Sequence, residues 1–334
     1  MALELTTVAE DAAVFFDGPR VVRLDGLDPD TAYEHEGVAF RTLARPPGER
    51  LATVATVNDV HFGETVCGEI EGLDIGPVLR SPEGATPYPQ MMNGAAVAEI
   101  AEIRPDAVVA KGDLTAAGTP GEYAAFVDCY VGAFGSRMHW IRGNHDGEHG
   151  AGPPREVTLD GVILALIDTV VVGTPFGQVT ADQLEWLDEL GARADRPVLV
   201  FGHHHAFDPG SHNRPSTYFG IDPDGSDRLV DVVARRPRLI GYFAGHTHRN
   251  RVRRFARTGD VPWVEVACVK DFPGSWAEYR VFDGGVLQVH HRLSSVDALA
   301  WSESCRAMLA GLYPAYAMGQ IADRCLEIKP RAQS

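Results

Sequence analysis

An α/β fold is predicted by three observations. Short apolar, β-branched runs alternate with helical stretches between positions 52 and 243, and five of those runs end on side chains of metal-ligand type. In addition, 45% of the 334 residues are hydrophobic, enough for a large core. Strands joined by helices place their ends at one sheet edge, where loops converge on a rigid support.

The first fifty residues differ from the rest of the chain. Positions 21–42 read as two short alternating strands around Leu24, Gly26, Leu27, Pro29, Thr31 and Tyr33, closed by the break at Pro46 and Pro47. This spacing resembles the corner of a fibronectin type III domain, in which a tyrosine bonds back to the chain. It covers about half a sandwich, which cannot bury both faces alone. The segment is therefore expected to pack on the rest of the chain or on a second subunit.

The run 52–61 is rich in Val, Thr and Ala and reads as a buried strand ending at Asp59 and His61. In an extended chain residues i and i+2 share a side, which lets both groups reach one ion. The loop 62–90, rich in Gly and Pro, is too long for an ordinary connection and reads as an active-site rim. A helix around 91–103 leads to the strand 107–110, which runs into Gly112 and Asp113. A second helix, 120–134, precedes the strand 138–141, which runs into Gly143, Asn144, His145 and Asp146.

The second half repeats the device. A hairpin is expected at 155–167 with Asp160-Gly161 as its turn, then a helix at 180–192 with Thr180 and Gln183 in capping-box positions. The strand 197–201 ends in Gly202, His203, His204 and His205. After a polar loop, 206–225, and a helix from Ser226, the strand 239–243 ends in Gly245, His246 and His248. Positions 251–292 alternate like antiparallel strands around a turn at Asp283-Gly284-Gly285, and 301–326 read as terminal helices interrupted at Pro314.

Thirty basic and forty-six acidic side chains leave a formal charge of -16, which argues against a nucleic-acid polymer or an anionic membrane as partner. No apolar run approaches ~18 residues, so no membrane span is expected. Glu4, Glu10 and Asp11 stand where a secretory signal would carry a basic segment, so none is expected. The five cysteines, Cys67, Cys129, Cys268, Cys305 and Cys325, lack CxxC spacing and suit reduced thiols in the cytoplasm.

Taken together, Asp59-x-His61, Gly112-Asp113, Gly143-Asn144-His145-Asp146, Gly202-His203 and Gly245-His246-x-His248 resemble the signature of the calcineurin-like metallophosphoesterases, over roughly positions 50–290. The resemblance implies an α/β (α+β) fold, a four-layer αββα sandwich with two mixed β-sheets, plus a short N-terminal β extension. It divides the chain into the extension at 1–48, a metallophosphoesterase catalytic domain at 49–295, and a C-terminal helical segment at 296–334.

By the same resemblance Asp59, His61 and His248 would hold one metal ion, Asn144, His203 and His246 a second, and Asp113 would bridge them. His204 and His205 are expected to lie outside the ligand set. Carboxylates and imidazoles suit two divalent or trivalent ions such as Fe, Mn, Zn or Co. A dinuclear centre of this kind activates a bridging hydroxide for in-line attack on phosphorus. His145 would protonate the leaving oxygen, with Asp146 orienting it.

The expected substrate is a small-molecule phosphodiester, cyclic nucleotides included. A phosphomonoesterase on the same site is the alternative, and a non-catalytic scaffold a remoter one. Leu114, Thr115, Ala116 and Ala117 follow Asp113 where purple acid phosphatases carry a tyrosine ligand, which places the pattern nearer the bacterial cyclic-nucleotide and glycerophosphodiester branch. Asn213, Arg214 and Tyr218 are candidate substrate contacts, and a homo-oligomer is left open.

Overall fold

The computed structural model describes residues 3–69, 72 and 74–331. Positions 70, 71 and 73 of the expected rim loop lie outside them. A meander opens the chain: β1 (Glu4–Val8), β2 (Ala12–Asp17) and β3 (Arg20–Asp25), followed by the hairpin of β4 (Ala32–His35) and β5 (Val38–Arg41). The reading of 21–42 as two strands thus misses β1 and β2 and splits the rest differently. For β2 the reason is burial on both faces, which replaces alternation by a continuous apolar run. Phe15 of β2 packs with Val8 and Phe40, whereas Val14 and Phe16 pack with Leu299. The Tyr33 hydroxyl accepts the Asp28 N–H at 2.8 Å, a bond back to the chain of the kind the fibronectin-like spacing implies.

Beyond the break come β6 (Arg50–Val57), the short pair β7 (Val66–Cys67) and β8 (Leu79–Arg80), helix α1 (Tyr88–Glu102) and β9 (Ala107–Lys111). Helix α2 (Pro120–Phe126) continues through a π-turn, Val127–Val131, into the short α3 (Gly132–Phe134) ahead of β10 (Met138–Ile141). The hairpin β11 (Arg155–Leu159) and β12 (Val162–Leu166) turns at Asp160-Gly161, and α4 (Ala181–Arg193) begins with the expected capping box. Next are β13 (Val198–Phe201), α5 (Pro223–Arg235) and β14 (Leu239–Ala244). Helix α5 starts ahead of the expected Ser226, because Asp222 caps it by accepting the Gly225 N–H and Pro223 suits the first turn.

The chain closes with β15 (Arg251–Arg254), β16 (Pro262–Glu265), β17 (Ser275–Phe282), β18 (Gly285–Arg292), α6 (Val296–Cys305), α7 (Tyr313–Ala317), α8 (Ile321–Arg324) and β19 (Leu326–Ile328). The expectation of a purely helical C-terminal segment is corrected by β19, which pairs antiparallel with β18 and buries Leu326 and Ile328 in the core.

Two six-stranded mixed sheets carry the molecule, in the orders β10-β9-β6-β17-β18-β19 and β11-β12-β13-β14-β16-β15. Side-chain alternation explains how they stack. Val54 of β6 and Leu199 of β13 enter a shared inter-sheet core with Phe201, Phe243 and Tyr279. Ala55 and Val57 point the other way, toward α1 and α2, and Val198 and Val200 point toward α4 and α5. Helix, sheet, sheet and helix therefore form four layers.

The N-terminal meander lies against β18 and the C-terminal end. Thr7 Oγ1 donates to the His290 carbonyl at 2.7 Å, and Arg324 donates to the Leu5 carbonyl at 3.0 Å. Cys305 and Cys325 belong to separate core clusters, and all five thiols are free.

Candidate metal centre

The expected strand 52–61 stops at Val57, and the backbone then departs from the extended form. Asp59 and His61 have φ of 51° and 45°, so their convergence does not come from the pleat of a strand, and that expectation is corrected. Asp113, His246 and His248 share the same left-handed backbone, at 50°, 68° and 54°. Non-glycine residues rarely adopt it, and it persists only where the surroundings enforce it. Here five of the seven candidate ligands do so, which marks this sheet edge as the place where the fold accepts strain. Gly112 also has a positive φ, +88°, and a Cβ there would meet His203 Nδ1 at 2.5 Å.

The loops after β6, β9, β10, β13 and β14 converge on Asp113. Its Oδ2 lies 3.5 Å from His61 Nε2 and its Oδ1 lies 3.4 Å from His203 Nε2. Asn144 Oδ1 is 3.2 Å from the same His203 nitrogen, whose ring is held from behind by Nδ1 donating to the Lys111 carbonyl at 2.8 Å. Asp59 Oδ1 is 3.6 Å from His248 Nε2, and both Asp59 oxygens accept the His246 N–H at 3.0 Å. Donor atoms fall into groups within 4.8 Å of one another: Asp59, His61 and His248, then Asp59, Asp113 and His203, then His203, His204 and His246.

His204, expected outside the ligand set, packs its ring 4.5 Å from that of His246. Thr169 Oγ1 is 2.8 Å from its Nδ1. The arrangement differs for Asp146. Its carboxylate accepts the backbone N–H groups of Gly143, Leu114 and Thr115 and the Thr115 hydroxyl, whereas the His145 ring meets the Ala116 carbonyl at 2.8 Å through Nδ1. Asp146 therefore ties the β9 and β10 loops together and does not orient the His145 imidazole, a correction that comes from its burial between two backbones.

Electrostatics agree with a cation site. Burial and Lys270 oppose charge on His61, but Glu64 and Asp113 outweigh them and carry its pKa up to about 10. Burial likewise opposes charge on His203, and Asp113 carries it up to about 9. Asp113 itself is held well below the usual range by those two rings, against its own burial. Such a nest gathers protons where cations would sit. The Nε2 atoms of His61, His204 and His246 are buried without a hydrogen-bond partner among the described residues. Orphaned imidazole nitrogens beside buried carboxylates are the donor set a transition-metal ion takes.

A cavity of about 1020 Å³ opens over these groups, with His61, Asp113, Asn144, His145, His246 and His248 in its floor. Asn213, Arg214 and Tyr218 do not line it: Arg214 pairs with Asp224 and Asp227, and the Tyr218 hydroxyl meets His205 Nε2 at 2.8 Å. Their neighbour Phe219 does, half exposed and stacked on His246 at 4.0 Å between ring centres. Met308, Leu309, Tyr313 and Tyr316 form another wall, and Glu64, Lys270 and Asp271 border the floor. Glu64 belongs to the loop 62–90 read as an active-site rim, and the others were not expected from the sequence. One signal was present: the short apolar run 266–269 ends on Lys270 and Asp271, as the other runs end on polar groups.

The description "Calcineurin-like phosphoesterase" belongs to the family model that matches residues 52–250. A glycerophosphodiester phosphodiesterase of Enterobacter lignolyticus is 30% identical over 165 residues, 43% of this chain and 56% of that protein. A probable cyclic nucleotide phosphodiesterase of Rhodococcus erythropolis is 30% identical over 169 residues, 46% and 54% of the two chains. A 3',5'-cyclic adenosine monophosphate phosphodiesterase of Escherichia coli is 28% identical over 155 residues, 43% and 54%. The chain thus spans about half the length of the curated relatives it matches. Among solved structures, a dimetal phosphatase from Danio rerio shares the fold, with a TM-score of 0.56 and 14% identity over 85% of this chain and 100% of that one.

Proposed function

The chain belongs to the calcineurin-like phosphoesterase family, and from that membership we propose that it is a metal-dependent hydrolase of small phosphodiesters, cyclic nucleotides included. The observation that carries the reading is the convergence of five strand-end clusters on Asp113. Asp59, His61 and His248 would hold one ion, Asn144, His203 and His246 the other, with Asp113 shared between them. Fe, Mn, Zn or Co suits that donor set. When bound, such ions supply Lewis acidity that activates water and offsets phosphoryl charge.

The protein's own side chains do the rest. Because a carbonyl only accepts, His145 Nδ1 must carry the hydrogen toward Ala116, so Nε2 hands a proton to the departing oxygen only from the ring protonated on both nitrogens, and is left with its lone pair afterwards. The same logic at His203 fixes Nδ1–H on Lys111 and turns the Nε2 lone pair to the site. Phe219, Met308, Leu309 and Tyr316 border the cavity and shield the ester's apolar part from water.

Charge favours a diester over a monoester. Lys270 is the one Lys or Arg among the described residues lining the cavity, and Glu64 already holds it at 2.6 Å. Among the described residues, no free cationic side chain there meets the second charge of a monoester dianion. A phosphomonoesterase would share every ligand and is the competing reading. The filled ligand positions and His145 argue against a scaffold. The free thiols suit a reducing compartment, which supports action in the cytoplasm.

The test is a panel on the metal-loaded protein: bis(p-nitrophenyl) phosphate, p-nitrophenyl phosphate, cyclic AMP and a glycerophosphodiester, compared by kcat/KM. The diesters should be cleaved faster. A monoester preferred to every diester would overturn the assignment.

A further inference from the structure

We infer that Glu64, Lys270 and Asp271 form a positioning bridge behind two of the candidate ligands, holding the rings of His61 and His248 on the cation site. The inference rests on the proposed metal centre and extends it to residues outside the proposed ligand set.

The geometry is paired. His61 turns Nε2 toward Asp113 and Nδ1 toward Glu64, whose Oε2 is 3.1 Å away. His248 turns Nε2 toward Asp59 and Nδ1 toward Asp271, whose Oδ2 is 3.6 Å away, within ion-pair reach though longer than a hydrogen bond. Lys270 joins the two carboxylates: its Nζ donates to Glu64 Oε1 at 2.6 Å and lies 3.8 Å from Asp271 Oδ2. The Lys270 and Asp271 side chains are 6% and 3% exposed, so the charges meet one another and not solvent.

A carboxylate on the outer nitrogen of a ligating histidine fixes the ring and raises its basicity. Two buried carboxylates side by side would repel, and the ammonium between them removes that penalty. Asp271 is anchored further by the Tyr313 hydroxyl, which donates to Oδ1 at 2.7 Å, and by the Cys268 thiol at 2.8 Å. His145 and His203 use backbone carbonyls for the same purpose, so the bridge is a distinct device. Lys270, Asp271 and Tyr313 all lie beyond the residues that the family model matches.

The experiment uses full-length protein stripped of metal, with Glu64→Gln, Asp271→Asn and the double variant. Mn(II) is titrated in, and the signal of the free ion is followed by electron paramagnetic resonance. Thermal unfolding of the metal-free proteins checks that each variant is folded. Each single change should weaken Mn(II) binding by about 10- to 100-fold. The double variant should lose less than the product of the two single factors, since both carboxylates act through Lys270. Glu64 is the more exposed carboxylate, so Glu64→Gln keeps the test alive should Asp271→Asn fail to fold. Single-variant titrations that overlay the wild type overturn the bridge while leaving the metal centre intact. A wild type that takes up neither Mn(II) nor Zn(II) overturns the centre and the bridge with it.

Discussion

His145 Nδ1 lies 2.8 Å from the Ala116 carbonyl oxygen, so backbone and not Asp146 sets how this ring faces the cavity. The acid role then belongs to Nε2, and its worth depends on how poor the leaving group is. His145→Ala should lower kcat on an alkyl phosphodiester by about 10²- to 10⁴-fold. On bis(p-nitrophenyl) phosphate, whose leaving group needs little protonation, the loss should be smaller. Equal losses on both substrates would remove the proton-transfer role.

Metal removal gives the second prediction. Dialysis against a chelator should abolish turnover, and added Mn(II), Co(II) or Zn(II) should restore it. A ligand that binds only the folded chain stabilises it by about 2.7 kcal/mol at a hundredfold excess over Kd. The melting temperature should therefore rise with metal concentration, measured by calorimetry. The triple change Asp59→Asn, Asp113→Asn and His203→Asn should cancel that rise.

The convergence of the strand-end loops was legible because five apolar runs end on side chains of metal-ligand type, a pattern that a single strand does not require. The route by which Asp59 and His61 converge was not, since a left-handed backbone has no periodicity to read. Strand β2 was missed for the opposite reason: Phe15 and Phe16 are both buried, so alternation is lost. Phe219, Tyr313 and Lys270 reach the cavity from a loop, a terminal helix and a strand exit far apart in the chain. Phe219 and Tyr313 are of types common in cores, so the fold distinguishes them, whereas Lys270 stands at the end of a short apolar run.

The third prediction concerns pH. His290 on β18 is buried, and burial, with the charges of Arg324, His291 and Arg292, holds its pKa well below 6.5. In the unfolded chain the ring titrates near 6.5. Below that pH the unfolded state binds a proton that the folded state refuses, so the contribution is intact above about pH 6.5 and is lost as pH falls toward the folded value. Between about pH 6.5 and 5 the wild type should lose up to about 1.4 kcal/mol more per pH unit than His290→Gln, read from urea unfolding. Parallel slopes for the two proteins would exclude the effect.

The last prediction tests what joins the N-terminal meander to the sheet that carries β17. Arg280 of β17 donates to Glu10 Oε2 and Asp11 Oδ1, each at 2.8 Å, and its Nε lies 3.0 Å from Glu278 Oε1. Glu278 is also held by Arg50 at 2.6 Å and by His291 at 2.9 Å. Asp11 is exposed and adds little, but Arg280 and Glu10 are buried, so removing the guanidinium strands the Glu10 carboxylate in the interior, while Glu278 keeps Arg50 and His291. Arg280→Met should therefore destabilise the protein by about 3 to 5 kcal/mol in urea unfolding. Adding Glu10→Gln to Arg280→Met takes away the stranded charge and should recover part of that loss. If the pair is additive instead, the contact between meander and sheet is held by the apolar cluster of Ala9, Ala12, Phe282, Leu287 and Val289 and not by this ion pair.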